Sequence, residues 1–248
     1  VLDDFHYASP EIQYDIACQL KEVIRMGFKA VIISLPYRSD DAIRLNPDLT
    51  GRISVIEIEP WKSQELQEIA RKGFQALKIS VDEELIEKMA LESIHSPQLM
   101  QSICLNIGLL PGDNPEISVD VIEDSCRFTC TNLPYGDVVR VLKAGPPTRG
   151  QKRLRYNLTD KSQRDVYSLI LKVLADNPPL VEIDMEELLQ RILKNLDSIK
   201  IAMQKVKGAL KNWQKMLADY GPMYQVFEWK DDVIHIQDNL FLFYLRWS

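Results

Sequence analysis

Val1-Leu2-Asp3-Asp4 opens the chain, and this stretch decides the fold. Two apolar residues running into two acids read as the end of a buried strand that delivers carboxylates to the edge of a sheet. Working outward, Ser9-Pro10-Glu11 supplies an N-cap with proline at the first helical position, which predicts a helix to about Met26 that stops at Gly27. Residues 29–35 (KAVIISL) form an apolar run of the kind found in a buried parallel strand. Strand, helix, strand is a βαβ unit, and its natural home is a doubly wound sheet. A short polar helix is expected over 40–44, then a loop with Asn46-Pro47-Asp48. A further strand over 53–58 is closed by Pro60-Trp61.

Beyond Trp61 the period is helical. Ser63 is expected to cap a helix over 63–77 with Leu66, Ile69, Ala70 and Phe74 on one face. Helices are predicted over 82–94 and 97–107, and two or three short ones within 116–144. Gly145-Pro146-Pro147-Thr148-Arg149-Gly150 breaks the pattern and reads as a linker. Helices over about 161–175, 184–196 and 199–218 follow. Two strands, 223–229 and 233–237, are joined by a tight turn at Lys230-Asp231-Asp232. Three helices and a β-hairpin make a winged helix-turn-helix. The aromatic segment 240–247 is expected to dock back onto the body. No internal repeat or low-complexity tract is visible.

With 46% hydrophobic and 27% charged residues over 248 positions, the composition is that of a soluble globular protein of about two domains. No apolar run approaches the roughly 20 residues that span a bilayer, and no signal peptide is visible, so no membrane partner and a cytoplasmic location are expected. The net charge of −6 is uneven: residues 1–150 hold 15 Lys+Arg against 23 Asp+Glu, and 151–248 hold 15 against 13. The asymmetry suggests two parts with different partners. Cys18, Cys104, Cys126 and Cys130 lie in helical contexts with no CxxC, which favours buried thiols in a reducing compartment.

Several residues carry candidate chemistry. Adjacent acids such as Asp3 and Asp4 suit a hard cation and a polarised water. Arg38, three residues past the second strand, and Arg52, before the third, have the planar fork that binds phosphate bidentately. Ser96-Pro97 fixes a helix start. Lys200, Lys205, Lys207, Lys211 and Lys215 line the third helix of the C-terminal part, which could track phosphates. The acids at 231 and 232, the lack of arginine on that helix and the near-neutral balance make DNA a less favoured partner. His6 reads as a hydrogen-bonded loop residue, and His235 receives no role.

Taken in this order, the features resemble the second half of an AAA+-type P-loop ATPase of the STAND class. The implied fold is an α/β fragment of a P-loop NTPase core (1–60), an all-α lid (61–144), a linker (145–160) and a C-terminal winged-helix domain (161–248), predominantly helical. By that resemblance Asp3-Asp4 is the Walker B pair, with Asp3 the Mg²⁺ ligand and Asp4 the residue that polarises water. Arg38 senses the γ-phosphate, Arg52 acts in trans as an arginine finger, and Ser96 and Pro97 touch nucleotide. The implied cofactors are ATP and Mg²⁺, and the implied assembly is a homo-oligomer in the ATP-bound state. His95 departs from the pattern, standing where such proteins carry the glycine of a Gly-x-Pro motif. A GxxxxGK[ST] loop is absent. The nearest string, Gly145 to Lys152, places its lysine one position late and loses backbone N–H groups to two prolines. The part preceding the Walker B strand is therefore expected to be missing, and this chain alone is expected to hydrolyse ATP only at background rate. The reading is an ATPase switch module of a signalling or defence protein. The alternatives are a DNA-binding initiator or regulator with ATPase and winged helix, or a nucleotide-independent protein-interaction module.

Overall fold

The computed structural model describes residues 1–5, 8–34, 49, 51–110, 116–148, 150–197, 200–220 and 226–248. The described residues are predominantly helical with a few small sheets, and the chain divides into two units, Val1–Glu59 and Pro60–Ser248.

In the first unit Leu2 bridges Ile32 in parallel. The Leu2 N–H donates to Val31 O (2.8 Å), and Leu2 O accepts from the Ile33 N–H (2.9 Å). Between them runs α1 (Pro10–Arg25), started by the Ser9 side chain, which accepts from the Ile12 N–H, and ended at Gly27 with φ 89°. The βαβ order is present, but the strands expected as buried ladders are not. Pairing at 1–5 and 31–33 amounts to one bridge, and 53–58 joins no ladder among the described residues. Val1, Ile56 and Ile58 are 88%, 86% and 88% exposed. Parallel strands are buried by helices on both faces and by flanking strands. The described residues of this unit supply one helix. The expected helix at 40–44 and the loop at 46–48 lie outside the described residues.

The second unit begins with α2 (Ser63–Leu77). Its N-cap is Lys62 rather than Ser63, because the Glu65 carboxylate accepts from the Lys62 N–H (2.7 Å). Leu66, Ala70 and Phe74, spaced by four, are its buried stripe. There follow α3 (Glu83–Glu92), α4 (Pro97–Gly108), α5 (Val119–Thr131) and α6 (Gly136–Ala144). Helix α4 lies between α2 and α5. Gly145 ends α6 at φ 58°, where an added Cβ would stand 2.7 Å from the Tyr167 ring. Arg153 pins this stretch. Its guanidinium lies 4.8 Å over the Tyr167 ring and donates to the Ala144 and Pro146 carbonyls.

A short antiparallel pair, β1 (Tyr156–Asn157) and β2 (Gln163–Arg164), precedes α7 (Val166–Leu174). This pair falls where the sequence predicts a linker (145–160) and the start of a helix at about 161. The order continues β3 (Glu182–Asp184), α8 (Met185–Asn195), α9 (Met203–Tyr220), β4 (Phe227–Lys230), β5 (Val233–Ile236) and α10 (Asn239–Trp247). The three strands form one antiparallel sheet in the order β3-β5-β4, with Ile234 opposite both Ile183 and Trp229. Strand β3 was not anticipated: Glu-Ile-Asp offers one apolar residue and no period. The hairpin turns at Asp231-Asp232, both left-handed at φ 51° and 61°, a geometry that usually selects Asn-Gly. Trp213 on α9 is fully buried, and its indole N–H donates to Leu142 O (2.8 Å), tying α9 to α6. The segment at 240–247 docks as expected: Phe241, Leu242 and Phe243 of α10 are fully buried where it packs on α5 and α7.

Candidate functional site

Asp3 and Asp4 leave the end of the parallel pair as exposed side chains. Both acids directly follow the single bridge between Leu2 and Ile32. The turn that carries them is held locally. The Asp4 N–H donates to Asp3 Oδ1 (2.9 Å), and Asp4 is left-handed at φ 54°. The Phe5 N–H returns to Ile33 O (3.1 Å) and Phe5 is buried. Gln13, a buried residue of α1, donates from Nε2 to Phe5 O (3.2 Å) and Ala8 O (3.0 Å), so the helix grips the loop that follows the acids.

Among the described residues Asp3 Oδ1 accepts one backbone N–H. Among the described residues no cluster of three or more His, Cys, Asp or Glu is arranged to hold a metal alone. Two acids at a strand end fit Mg²⁺ only in its usual manner, with water and phosphate oxygens completing the shell.

Arg38, His6 and Asp48 lie outside the described residues. Arg52 is exposed, its N–H donating to Leu49 O (3.0 Å), with Leu49 buried and Gly51 left-handed at φ 76°.

Ser96 and Pro97 belong to the second unit. The Ser96 hydroxyl caps α4, accepting from the Leu99 N–H (3.3 Å), and Pro97 opens the helix. Just before them the backbone is left-handed at two consecutive residues, Ile94 (φ 45°) and His95 (φ 59°). Isoleucine is β-branched and rarely adopts that region. Glycine adopts it freely, and glycine is the residue expected at position 95 by resemblance. His95 holds the conformation with a hydrogen bond from Nδ1 to Trp61 O (2.8 Å), which sets the proton on that nitrogen because a carbonyl only accepts. Asn239 Nδ2 donates to Ile94 O (2.8 Å), and the Ser96 N–H to Ser93 O (2.8 Å).

Two of the five candidate lysines are engaged, and Lys215 is exposed. Lys207 pairs with Asp232 (2.6 Å), and the Lys205 ammonium sits 5.3 Å over the Tyr156 ring. Lys200 and Lys211 are exposed. Lys211 shares a shallow open cleft with Gln214, Trp229, Asp231 and Asp232, so acids share the space where phosphate would approach. Burial pushes the Cys104 thiol up to about 12 and raises Cys126 and Cys130 as well. These are inert core groups rather than nucleophiles. No described helix is long and apolar enough to cross a membrane.

Nothing in the sequence singles out Glu92, Asn239 or Arg246, yet Asn239 bonds Ile94 O and Arg246 bonds Glu92, two residues before Ile94. In comparisons with known proteins no family model, no curated protein and no solved structure matches this chain.

Proposed function

We propose that this chain is the carboxyl-side part of an ATP-binding switch of the AAA+/STAND kind. The observation that carries this reading is the parallel pairing of Leu2 with Ile32 across α1, which sets Asp3 and Asp4 at the carboxyl edge of a βαβ unit. Asp3, its Oδ1 already oriented by the Asp4 N–H, holds Mg²⁺. The cation would neutralise charge on the phosphate oxygens. Asp4 accepts a hydrogen bond from the attacking water, Arg38 reads the γ-phosphate, and Arg52 reaches a neighbouring subunit's nucleotide. The left-handed backbone at His95 supports Ser96-Pro97 as the nucleotide-facing turn of a lid over 61–144. The order α7-β3-α8-α9-β4-β5 with strands arranged β3-β5-β4 supports a winged helix, with β4–β5 as its wing. ATP then biases the lid and winged helix and favours a homo-oligomer.

The nucleic-acid reading draws less support, because the Lys207 charge is answered by Asp232 and Lys205 is turned onto Tyr156. The sequence holds no GxxxxGK[ST] motif. Alone the chain should hydrolyse ATP at background rate, and activity above background that vanishes in Asp4→Asn would overturn that expectation. The decisive test is the reading frame upstream of Val1. A strand and GxxxxGK[ST] loop are expected within about a hundred residues. In the protein that carries them, Mg²⁺-ATP should raise the melting temperature, and Asp3→Asn should abolish the Mg²⁺ dependence. No nucleotide effect on melting in that protein refutes the reading.

A further inference from the structure

We infer that α10 is a strap that fixes the Ile94–Pro97 turn to α7, so that the conformation of this turn and the position of that helix's carboxyl end are set together. The regulatory meaning rests on the nucleotide reading of Ser96-Pro97; the strap itself does not.

The strap grips the turn on both sides. At its amino end Asp238 caps α10, accepting the Leu240 N–H on Oδ1 (3.0 Å), and accepts the Tyr135 hydroxyl on Oδ2. Asn239, the next residue, donates to Ile94 O (2.8 Å), the carbonyl of the first left-handed residue. At the carboxyl end Arg246 reaches Glu92, the last residue of α3 and two positions before Ile94. Its Nε and Nη2 meet Oε2 and Oε1 at 2.5 and 2.8 Å, and the Trp247 indole N–H adds a bond to Oε2 (3.2 Å). The same guanidinium donates from Nη1 to Ala175 O (3.1 Å), the residue that ends α7, and reaches Asn177 Oδ1 at 3.4 Å. One cation thus ties the segment before the turn to the helix that leads into β3.

Between the two grips Phe241, Leu242 and Phe243 are fully buried, and Tyr135 packs edge-on to Phe241 at 5.8 Å. Apolar packing alone tolerates small slides of one helix on another. A bidentate pair with a buried carboxylate does not, because displacement strands a charge. The placement of Glu92 in an otherwise apolar interior sets a register rather than adding cohesion.

Hydrogen exchange on the full chain, without nucleotide, tests the strap. In Asn239→Ala the Ser96 and Met100 amides should exchange about tenfold faster, the response to losing one local hydrogen bond. The Ala175 and Asp176 amides, at the far grip, should accelerate with them. Arg246→Lys keeps the charge and loses the fork, and should accelerate the same two groups from the other end. Amides of α2 should not change in either variant. Acceleration confined to the mutated end overturns the coupling, and so does a uniform rise that includes α2. Because no nucleotide enters the measurement, failure of the ATP reading leaves its outcome intact, and failure here leaves the ATP test standing.

Discussion

Arg246 and Glu92 are 154 residues apart in sequence and form a bidentate ion pair in the core, the carboxylate 4% and the guanidinium 16% exposed. The Glu92 carboxylate also raises the Arg246 pKa above its ordinary value, so the cation is fixed at every working pH. Removing one partner leaves a buried charge. Arg246→Ala should cost about 3–5 kcal/mol in urea unfolding. At roughly 2–4 °C per kcal/mol for a chain of this size, the melting temperature should fall by about 6–20 °C. Glu92→Leu/Arg246→Leu leaves no stranded charge and should recover most of that loss. A double variant as unstable as the single one would show that the pair contributes net cohesion.

The left-handed backbone at His95 makes a second prediction. Left-handed geometry costs a non-glycine residue about 1–2 kcal/mol, and an exposed hydrogen bond such as that to Trp61 O returns about 0.5–1.5. His95→Gly exchanges one for the other and should change stability by less than about 1 kcal/mol. His95→Val loses the bond and adds a β-branched side chain, and should destabilise by about 2 kcal/mol or more. Chemical denaturation of the two variants checks the order. A glycine variant no more stable than the valine one would mean that the bond to Trp61, not the backbone geometry, governs this turn.

The legible parts of this fold are those written in local chemistry. Ser9-Pro10 and Ser96-Pro97 announce α1 and α4 because a hydroxyl cap and a proline at the first position act within one turn. The hairpin around Asp231-Asp232 shows in alternating apolar residues. What was not legible depends on distance or brevity. Strands β1, β2 and β3 are two or three residues long, too short for any period, and exist because neighbours complete them. The helix over 63–77 begins where expected, but the carboxylate of Glu65 makes Lys62 rather than Ser63 its N-cap. The acids at 3 and 4 and the cap at Ser96-Pro97 stand out in the sequence, while Asn239 and Arg246 do not. Their partners lie 145 and 154 residues away, and nothing local marks them.

Thiol labelling follows from burial. Cys18 is exposed, while Cys104 and Cys126 are buried with raised pKa values, that of Cys104 to about 12. The thiolate is the reactive form. Under native conditions at neutral pH, a maleimide should modify Cys18 first and leave Cys104 and Cys126 untouched until denaturant is added, read by mass spectrometry of peptides. Fast native modification of Cys126 would mean that the interface of α5 with α10 opens readily.

Asp160 gives the pH dependence. Ser162, whose N–H donates to Oδ1 at 2.9 Å, and the Lys172 ammonium at 3.2 Å from Oδ2 hold this exposed carboxyl down to about 2. In the unfolded chain an aspartate titrates near 3.9. The folded value is the lower one, so the folded state prefers the ionised form. The resulting stability is fully present above about pH 4 and is lost as pH falls from there through about 2. Asp160→Asn should therefore lower the urea midpoint at neutral pH, and the gap to the parent should stay constant down to about pH 5. Below about pH 4 the two midpoints should converge, because the parent carboxyl becomes protonated and loses its advantage. A gap that widens on acidification would reverse the sign and rule out Asp160 as the group responsible.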